Sequence, residues 1–239
     1  MKQHEAVIQA LEALGGQATL AQLYIEVMKI PECEWKTKTP FASIRRIVQT
    51  RPEIFKVRPG LWALQSHKSR LGLIEEAPES KQGFEQNHSY YQGLLLTIGN
   101  LRNYNTFIPN QDKNKTFVGQ PLGELRTLEA IPHFSHDMLV RRSQTVDVIW
   151  FNARQMPDSF FEVEHSTDVQ NSLLKFNDLQ DFHARMIIVS DENRRGEFEQ
   201  KLNYSAFNSI RLRVNFLGYN ALVKQYEYEL LKANQSFVV

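Results

Sequence analysis

Three acidic residues lie in two neighbouring apolar segments of the chain. Asp147 stands within TVDVIWFN, and Glu162 and Glu164 stand within SFFEVEHST. Both segments are rich in β-branched and aromatic residues, which is typical of buried strands. Because side chains alternate along a strand, Glu162 and Glu164 are predicted to point to the same face of a sheet.

Carboxylates buried together on a sheet face repel one another and pay a desolvation cost unless a cation lies among them. Hard oxygen ligands of this kind favour Mg²⁺, so the three residues predict a magnesium site. The alternative is a pair of solvent-facing glutamates beside a salt-bridged Asp147. The apolar surroundings of Asp147 favour the cation site.

Other polar residues give weaker patterns. His133 and His136 are three residues apart in irregular sequence, which is more typical of surface or capping histidines than of a metal site. His165 follows Glu164 directly, so it is predicted to point to the opposite sheet face in a core or surface role. Two glutamates two residues apart on one strand cannot flank a sugar from both sides, which excludes a glycosidase. Glycine-rich phosphate loops and nucleophile elbows are absent from the sequence.

The elements that must position the carboxylates form a mixed pattern. The second half of the chain predicts a helix, several strands, and then helices alternating with strands, which indicates a mixed α/β sheet flanked by helices. A helix following the second acidic strand is predicted to be capped by Ser166, Thr167 and Asp168. The segment IRLRVNFL alternates strictly, which predicts a strand with one apolar face formed by Ile210, Leu212, Val214 and Phe216.

The first half of the chain is dominated by positive charge. Between Lys36 and Arg70 lie nine basic residues and one acid, Glu53, a net charge of +8, whereas the whole chain carries +1. A local excess of this size indicates a surface for a polyanion. The alternative is an ordinary solvated surface.

The same region predicts three short helices followed by a hairpin. Thr19 is a predicted cap for the second helix, Thr39-Pro40 marks the start of the third, and Pro59-Gly60 marks the turn of the hairpin. This order is that of a winged helix-turn-helix, in which the exposed face of the third helix enters the major groove of DNA.

The predicted DNA contacts lie on that helix and on the wing. Arg45 and Arg46 can read guanine edges or hold phosphates, and Gln49 can read adenine. Lys56 and Arg58 on the wing are expected to contact the DNA backbone. The alternative is a winged helix that contacts protein. The full predicted set is Lys38, Thr39, Ser43, Arg45, Arg46, Gln49, Lys56 and Arg58.

Residues 1–66 resemble the HARE-HTH winged-helix family. The resemblance rests on the helix TLAQLYIEV, the helix TPFASIRRIVQ and the hairpin IFKVRPGLWAL. It supports a DNA-binding role for this domain.

Residues 88–225 resemble the PD-(D/E)xK nuclease superfamily. The resemblance rests on TVDVIW, FEVEHST and the helical segment NSLLKFNDLQ. It implies that Asp147 and Glu162 are metal ligands and that the main-chain carbonyl of Val163 assists them. Glu164 stands where the superfamily usually has lysine, and it can accept a proton from water or bind a second metal ion. The sequence leaves open whether Glu164 or Lys175, on the following helix, replaces that lysine.

The length of 239 residues suits two domains. We expect a winged-helix domain at 1–66, a linker at 67–87 and a catalytic domain at 88–239. The N-terminus is amphipathic, unlike a signal peptide, and no apolar run approaches the roughly 20 residues of a membrane span. Cys33 is the single cysteine, which excludes an intrachain disulfide. The expected location is a reducing cytoplasm, or a nucleus if the host has one, and the resemblance to restriction-endonuclease-like proteins implies a prokaryotic cell.

Together these features predict a Mg²⁺-dependent endonuclease that cleaves double-stranded DNA, and the resemblance to the nuclease superfamily implies a type II restriction endonuclease. One catalytic site per chain predicts a homodimer acting on symmetric DNA sites. Two alternatives remain open at this point. One is a DNA-binding regulator with a catalytically silent nuclease-like domain, which the glutamate at position 164 favours, and the other is a nuclease that depends on modified bases.

Overall fold

A computed structural model describes residues 1–71, 81–166 and 168–235. The chain divides into two compact units, one formed by Met1–Pro78 with Glu227–Val239 and the other by Glu79–Tyr226. The end of the chain, which the sequence places in the catalytic domain, thus falls in the first unit. Within the described residues, no helix is long and apolar enough to cross a membrane.

Within residues 1–71, the first unit contains three α-helices and a three-stranded antiparallel sheet. In the sheet the strand order is β1-β3-β2, and β1 was not predicted. The elements run in the order α1 (Gln3–Ala13), β1 (Gln17–Thr19), α2 (Leu20–Val27), α3 (Pro40–Thr50), β2 (Ile54–Arg58) and β3 (Leu61–Leu64).

Local sequence signals account for these helices. The Thr19 hydroxyl accepts a hydrogen bond from the Gln22 main-chain N–H at 3.2 Å, and the Gln22 side chain accepts one from the Thr19 N–H at 2.8 Å. This reciprocal pair confirms the predicted cap of α2. Pro40 occupies the first position of α3, where a missing N–H costs nothing. The apolar faces of the three helices meet in a core that includes Leu11, Leu23 and Ile44.

The second unit is built on a five-stranded mixed sheet. The strand order is β10-β9-β8-β7-β4, in which β8, β9 and β10 are parallel and β4, β7 and β8 are antiparallel. The elements are α4 (Lys81–Leu101), β4 (Asn105–Phe107), β5 (Thr116–Phe117), β6 (Gln120–Pro121), α5 (Leu122–Leu125), α6 (Asp137–Ser143), β7 (Val148–Phe151), β8 (Pro157–Glu164), α7 (Val169–Asp178), β9 (Arg185–Ser190), α8 (Arg195–Leu202), β10 (Val214–Gly218) and α9 (Tyr219–Gln235), whose last residues belong to the first unit. The predicted mixed sheet with helices is confirmed.

Helix α4 begins inside the segment 67–87 that the sequence assigns to a linker. It starts at Lys81, because the lysine, glutamine and glutamate residues before His88 are good helix formers. Residues 72–80 of the predicted linker lie outside the described residues.

The predicted strand at IRLRVNFL is confirmed for its second half and wrong for its first half. Strand β10 begins only at Val214, and Leu212 is 97% exposed. The preceding residues form turns, in which the Arg213 main-chain N–H donates to the carbonyl of Ile210 at 2.8 Å. The Arg213 guanidinium donates to the main-chain carbonyls of Gln180 and Phe182, so it holds this segment against a neighbouring loop.

Candidate active site

The three predicted carboxylates line one cavity of the second unit. Its volume is about 400 Å³, and Asp147, Glu162 and Glu164 share its walls with Val163, His88, Gln111, Asp112, Lys115, His165, Ser166, Asn171, Ser172 and Lys175. Asp147 lies immediately before β7, and the pairing of Val148 with Phe161 brings it beside the end of β8. The prediction that Glu162 and Glu164 share a face is confirmed, since the hydroxyl of Ser172 contacts both.

Asp147 is held by a main-chain donor and by a histidine. Its Oδ2 accepts a hydrogen bond from the N–H of Val163 at 2.8 Å, and its Oδ1 lies 3.5 Å from Nε2 of His88. Burial alone would raise the pKa of Asp147, but His88, together with Lys175 and the N–H of Val163, outweighs it, and the pKa is lowered. Burial likewise works against the charged form of His88, yet the Asp147 carboxylate raises the pKa of the imidazole. The pair therefore favours an ionised carboxylate beside a protonated imidazole.

Glu162 is paired with a lysine from α7. Its side chain is 2% exposed, and its two oxygens lie 2.7 and 3.0 Å from Nζ of Lys175. The same ammonium donates to the main-chain carbonyl of Thr145 at 2.9 Å.

The cap of α7 is the predicted one, because the Asp168 carboxylate accepts the N–H of Gln170 at 2.9 Å. Thr167, also named as a predicted cap, lies outside the described residues.

The cavity disfavours the charged form of Glu162. Burial and then repulsion from Asp147 raise the pKa of Glu162 well above its ordinary value, even though Lys175 opposes them. Burial also works against the charge of Lys175, but the carboxylates of Glu162, Asp147 and Glu164 together raise the pKa of the ammonium. At Glu162, Lys175 does not offset burial and the repulsion from Asp147.

Glu164 is fixed at the end of β8 by its main chain. Its carbonyl oxygen accepts hydrogen bonds from the hydroxyl of Ser190 at 2.6 Å and from that of Tyr219 at 3.0 Å. The ring of Tyr219 stacks on Tyr91 with 3.6 Å between the ring centroids. The Glu164 side chain accepts a hydrogen bond from Ser172 and is 5% exposed.

Sequence reasoning missed a second polar layer of the cavity. His88, Asp112 and Asp147 each offer a ligand atom within 4.8 Å of the others. Gln92 is fully buried, and its amide donates to Asp112 at 2.9 Å and to the carbonyl of Asp147 at 3.1 Å. A signal for two of these residues exists, because His88 and Gln92 lie four apart on one helix, just before the apolar run that begins at Leu94. Asp112 stands in irregular sequence without such a signal.

His165 is not where strand alternation places it. It lines the same cavity as Glu164, and its Nε2 lies 3.3 Å from the side-chain nitrogen of Asn87. Strand β8 ends at Glu164, so the alternation does not extend to the next residue. His133 and His136 are exposed, as predicted, and His133 lies 2.9 Å from Asp137.

The predicted DNA-contacting residues of the first unit are mostly accessible. Arg46 and Gln49 are exposed on α3, while the guanidinium of Arg45 lies 3.5 Å from the Glu227 carboxylate. Lys38, Thr39 and Lys56 are also exposed, whereas Ser43 is half-buried.

Arg58 differs from the other predicted contacts. It is only 8% exposed, because a bulge in the pairing of β2 with β3 between Lys56 and Arg58 shifts its side chain out of the register of Lys56. The burial of Arg58 therefore argues against the predicted contact between Arg58 and the DNA backbone.

The carboxylates of the cavity suit a divalent cation. Asp147, Glu162 and Glu164 offer hard oxygen atoms in one place, and the raised pKa of Glu162 marks a site where added positive charge would be favourable.

Comparison with known proteins gives one family. The model of the type II restriction enzyme NmeDI C-terminal domain matches residues 74–237. The type II restriction enzyme NmeDI of Neisseria meningitidis serogroup C is 24% identical over 166 residues, which cover 65% of this chain and 47% of that enzyme. The chain thus spans about half the length of the curated relative it matches. No solved structure matches. The family match covers more than half of the chain and includes all the carboxylates of the cavity, and the chain therefore belongs to the family of the type II restriction enzyme NmeDI C-terminal domain.

Proposed function

We propose that this chain is a Mg²⁺-dependent type II restriction endonuclease that hydrolyses phosphodiester bonds in duplex DNA. One observation carries the proposal: in a member of this family, Asp147, Glu162 and Glu164 meet Lys175 in a single cavity. The placement of the acidic residues at the ends of adjacent strands of a mixed sheet supports a PD-(D/E)xK nuclease as part of this proposal.

Asp147 and Glu162 would hold the Mg²⁺, assisted by the main-chain carbonyl of Val163. When bound, the ion lowers the pKa of the attacking water and offsets charge on the phosphate. The N–H of Val163 orients Asp147, and the protonated His88 keeps that carboxylate ionised.

Lys175 and Glu164 divide the work usually done by one lysine. Lys175 already lies in the cavity as an ammonium, so its charge can offset charge on the phosphate while its hydrogens are directed at Glu162 and the carbonyl of Thr145. Glu164 accepts the proton of that water as the new P–O bond forms and the bond to the leaving oxygen breaks. Ser172 holds Glu162 and Glu164 at a fixed separation.

The first unit would hold the duplex. Its order of three helices and a hairpin supports a winged helix, with α3 in the major groove and the basic residues of α3 and the wing on phosphates. Because each chain carries one such cavity, cutting both strands calls for a homodimer.

The test is cleavage of unmodified phage DNA with Mg²⁺ or with a chelator, using the parent, Glu164→Gln and Glu164→Lys. We expect discrete fragments from the parent only with Mg²⁺, and a steep loss in Glu164→Gln because the proton acceptor is gone. Glu164→Lys should also cut poorly, since a second ammonium beside Lys175 repels the metal ion. A parent that is inert with Mg²⁺ and Mn²⁺ on every DNA, together with an active Glu164→Lys variant, would instead identify a DNA-binding regulator with a silent nuclease-like domain.

A further inference from the structure

The cavity is lined by a second lysine, Lys115, in addition to Lys175. The ammonium of Lys115 lies 2.7 Å from Oδ1 of Asp112, and the side chain is 32% exposed. Its main chain is fixed as well, since its N–H donates to the Asp112 carbonyl at 3.0 Å and its carbonyl accepts the N–H of Leu122 at 2.8 Å. Lys115 is therefore presented to the cavity from an anchored position.

The anchor is a buried carboxylate whose two oxygens both have donors. Asp112 is 2% exposed; Oδ1 faces Lys115, and Oδ2 accepts a hydrogen bond from Gln92 at 2.9 Å. Gln92 is also bonded to the main-chain carbonyl of Asp147 at 3.1 Å. The chain of contacts from Asp147 through Gln92 and Asp112 to Lys115 fixes the lysine relative to the catalytic carboxylate.

This arrangement argues against Asp112 as a ligand of a second cation. The atoms of His88, Asp112 and Asp147 are close enough for a metal ion. However, both Asp112 oxygens already accept from donors, and an ion bound there would lie beside the ammonium of Lys115 and be repelled by it. Asp112 is better suited to hold a cationic side chain than a metal.

An anionic DNA strand needs such a cation. Asp147, Glu162 and Glu164 repel a phosphodiester that enters the cavity, and the ammonium of Lys175 is engaged by both oxygens of Glu162. An ammonium has three donor hydrogens, and the contact with one Asp112 oxygen uses one of them.

We propose that Lys115 is a phosphate-binding residue of this cavity, which contacts a phosphate of the DNA strand that is cut, and that Asp112 and Gln92 are its positioning residues. The proposal rests on the proposed function for its substrate, duplex DNA. The role of Lys115 is to offset the repulsion between the DNA strand and the carboxylates of the cavity.

The test measures duplex DNA binding in EDTA, where no cleavage is needed, as a function of salt. Lys115→Gln should reduce the slope of log K against log salt by about 0.9, the value for one phosphate contact. Lys115→Arg should restore it. Lys201→Gln is the matched control, because Lys201 is also paired with an aspartate, Asp168 at 3.1 Å, but lies outside the cavity lining. Its slope should equal that of the parent.

Cleavage provides the second readout. Lys115→Gln should lower kcat/KM about 10-fold or more, while the Mg²⁺ concentration for half-maximal rate stays unchanged, and Asp112→Asn should act in the same direction but less. An unchanged salt slope in folded Lys115→Gln, or a parent that does not bind DNA, overturns the proposal. A large rise in the Mg²⁺ requirement of Asp112→Asn also overturns it, because that outcome identifies Asp112 as a metal ligand. If the parent binds DNA but never cuts it, a reduced slope in Lys115→Gln still supports the phosphate contact, so the two proposals fail separately.

Discussion

The two units place their charged residues in opposite environments. Arg46 of α3 and Lys56 of β2 are exposed to solvent, whereas Asp147, Glu162 and Lys175 lie in a cavity where each has a fixed partner. Exposed charges act over distance and are screened by salt. Buried charges act through geometry, and removing one leaves its partner uncompensated. We therefore expect the first unit to control how tightly DNA binds and the second to control how fast it is cut.

The largest effect should come from Asp147. Asp147→Asn keeps an oxygen for the N–H of Val163 but removes the charge that a cation needs, so the cleavage rate should fall by about 10³-fold or more. DNA binding in EDTA should stay near that of the parent. Asp158→Asn is the control, because Asp158 is paired with Arg185 at the other end of β8. Cleavage by Asp147→Asn at a rate near the parent's would show that the site is wrongly assigned.

Lys175 should rank second. Lys175→Met leaves Glu162 buried without its ammonium, so we expect the cleavage rate to fall about 10²-fold and the unfolding temperature to drop. Lys175→Met with Glu162→Gln should regain thermal stability but not activity, since both charges are then removed. Single-turnover cleavage and thermal melting separate the two effects. Full activity of Lys175→Met would contradict the role proposed for Lys175 and would leave Glu164 as the residue that replaces the usual lysine.

A smaller effect should come from the exposed helix α3. Arg46→Ala should weaken DNA binding and reduce the salt slope by about 0.9, with little change in the cleavage rate at saturating DNA. Arg45→Ala should have a mixed effect, because Arg45 is also 3.5 Å from Glu227 and interacts with Tyr24 within the same unit. Fluorescence titration at several salt concentrations measures both. Salt slopes equal to the parent's for both variants would move the DNA contact away from α3.

The smallest effect should be a pH-dependent contribution of His88 to stability. The pKa of His88 is raised and that of Asp147 is lowered. Both groups are therefore charged, and their ion pair is fully formed, at pH values between these two pKa values. Its stabilisation is present below the ordinary pKa of histidine and is lost as the pH rises through the raised pKa of His88. In EDTA, His88→Gln should therefore melt below the parent near pH 6 and approach it at alkaline pH. A difference in melting temperature that grows with pH would contradict this assignment.

Local patterns in the sequence predicted the carboxylates and much of the sheet. Alternation along β8 placed Glu162 and Glu164 on one face, and apolar runs located β7, β8 and β9. The same rule failed for His165, which follows the last residue of the strand. It also failed for the segment around Leu212, where guanidinium bonds to distant carbonyls outweigh an alternating pattern. A local pattern cannot report the end of a strand that tertiary contacts determine.

The polar layer behind Asp147 could be predicted from the sequence only in part, for a related reason. Asp112 comes from an irregular segment, and only the fold brings it to Gln92 of α4. The pairing of Lys175 with Glu162 also depends on the fold, since the position of a lysine on a helix does not show whether it is buried or solvated. The family resemblance supplied the identity of the strand residues, whereas the structure supplied their partners.

The hydroxyl of Ser172 has a consequence for proton exchange. It approaches carboxylate oxygens of both Glu162 and Glu164, but a hydroxyl has a single hydrogen and can donate to one of them at a time. A proton on one glutamate would complete the second contact, and burial together with Asp147 raises the pKa of Glu162 in that direction. Binding of a divalent cation would then expel this proton, so metal affinity should rise with pH and loading should acidify a weakly buffered solution.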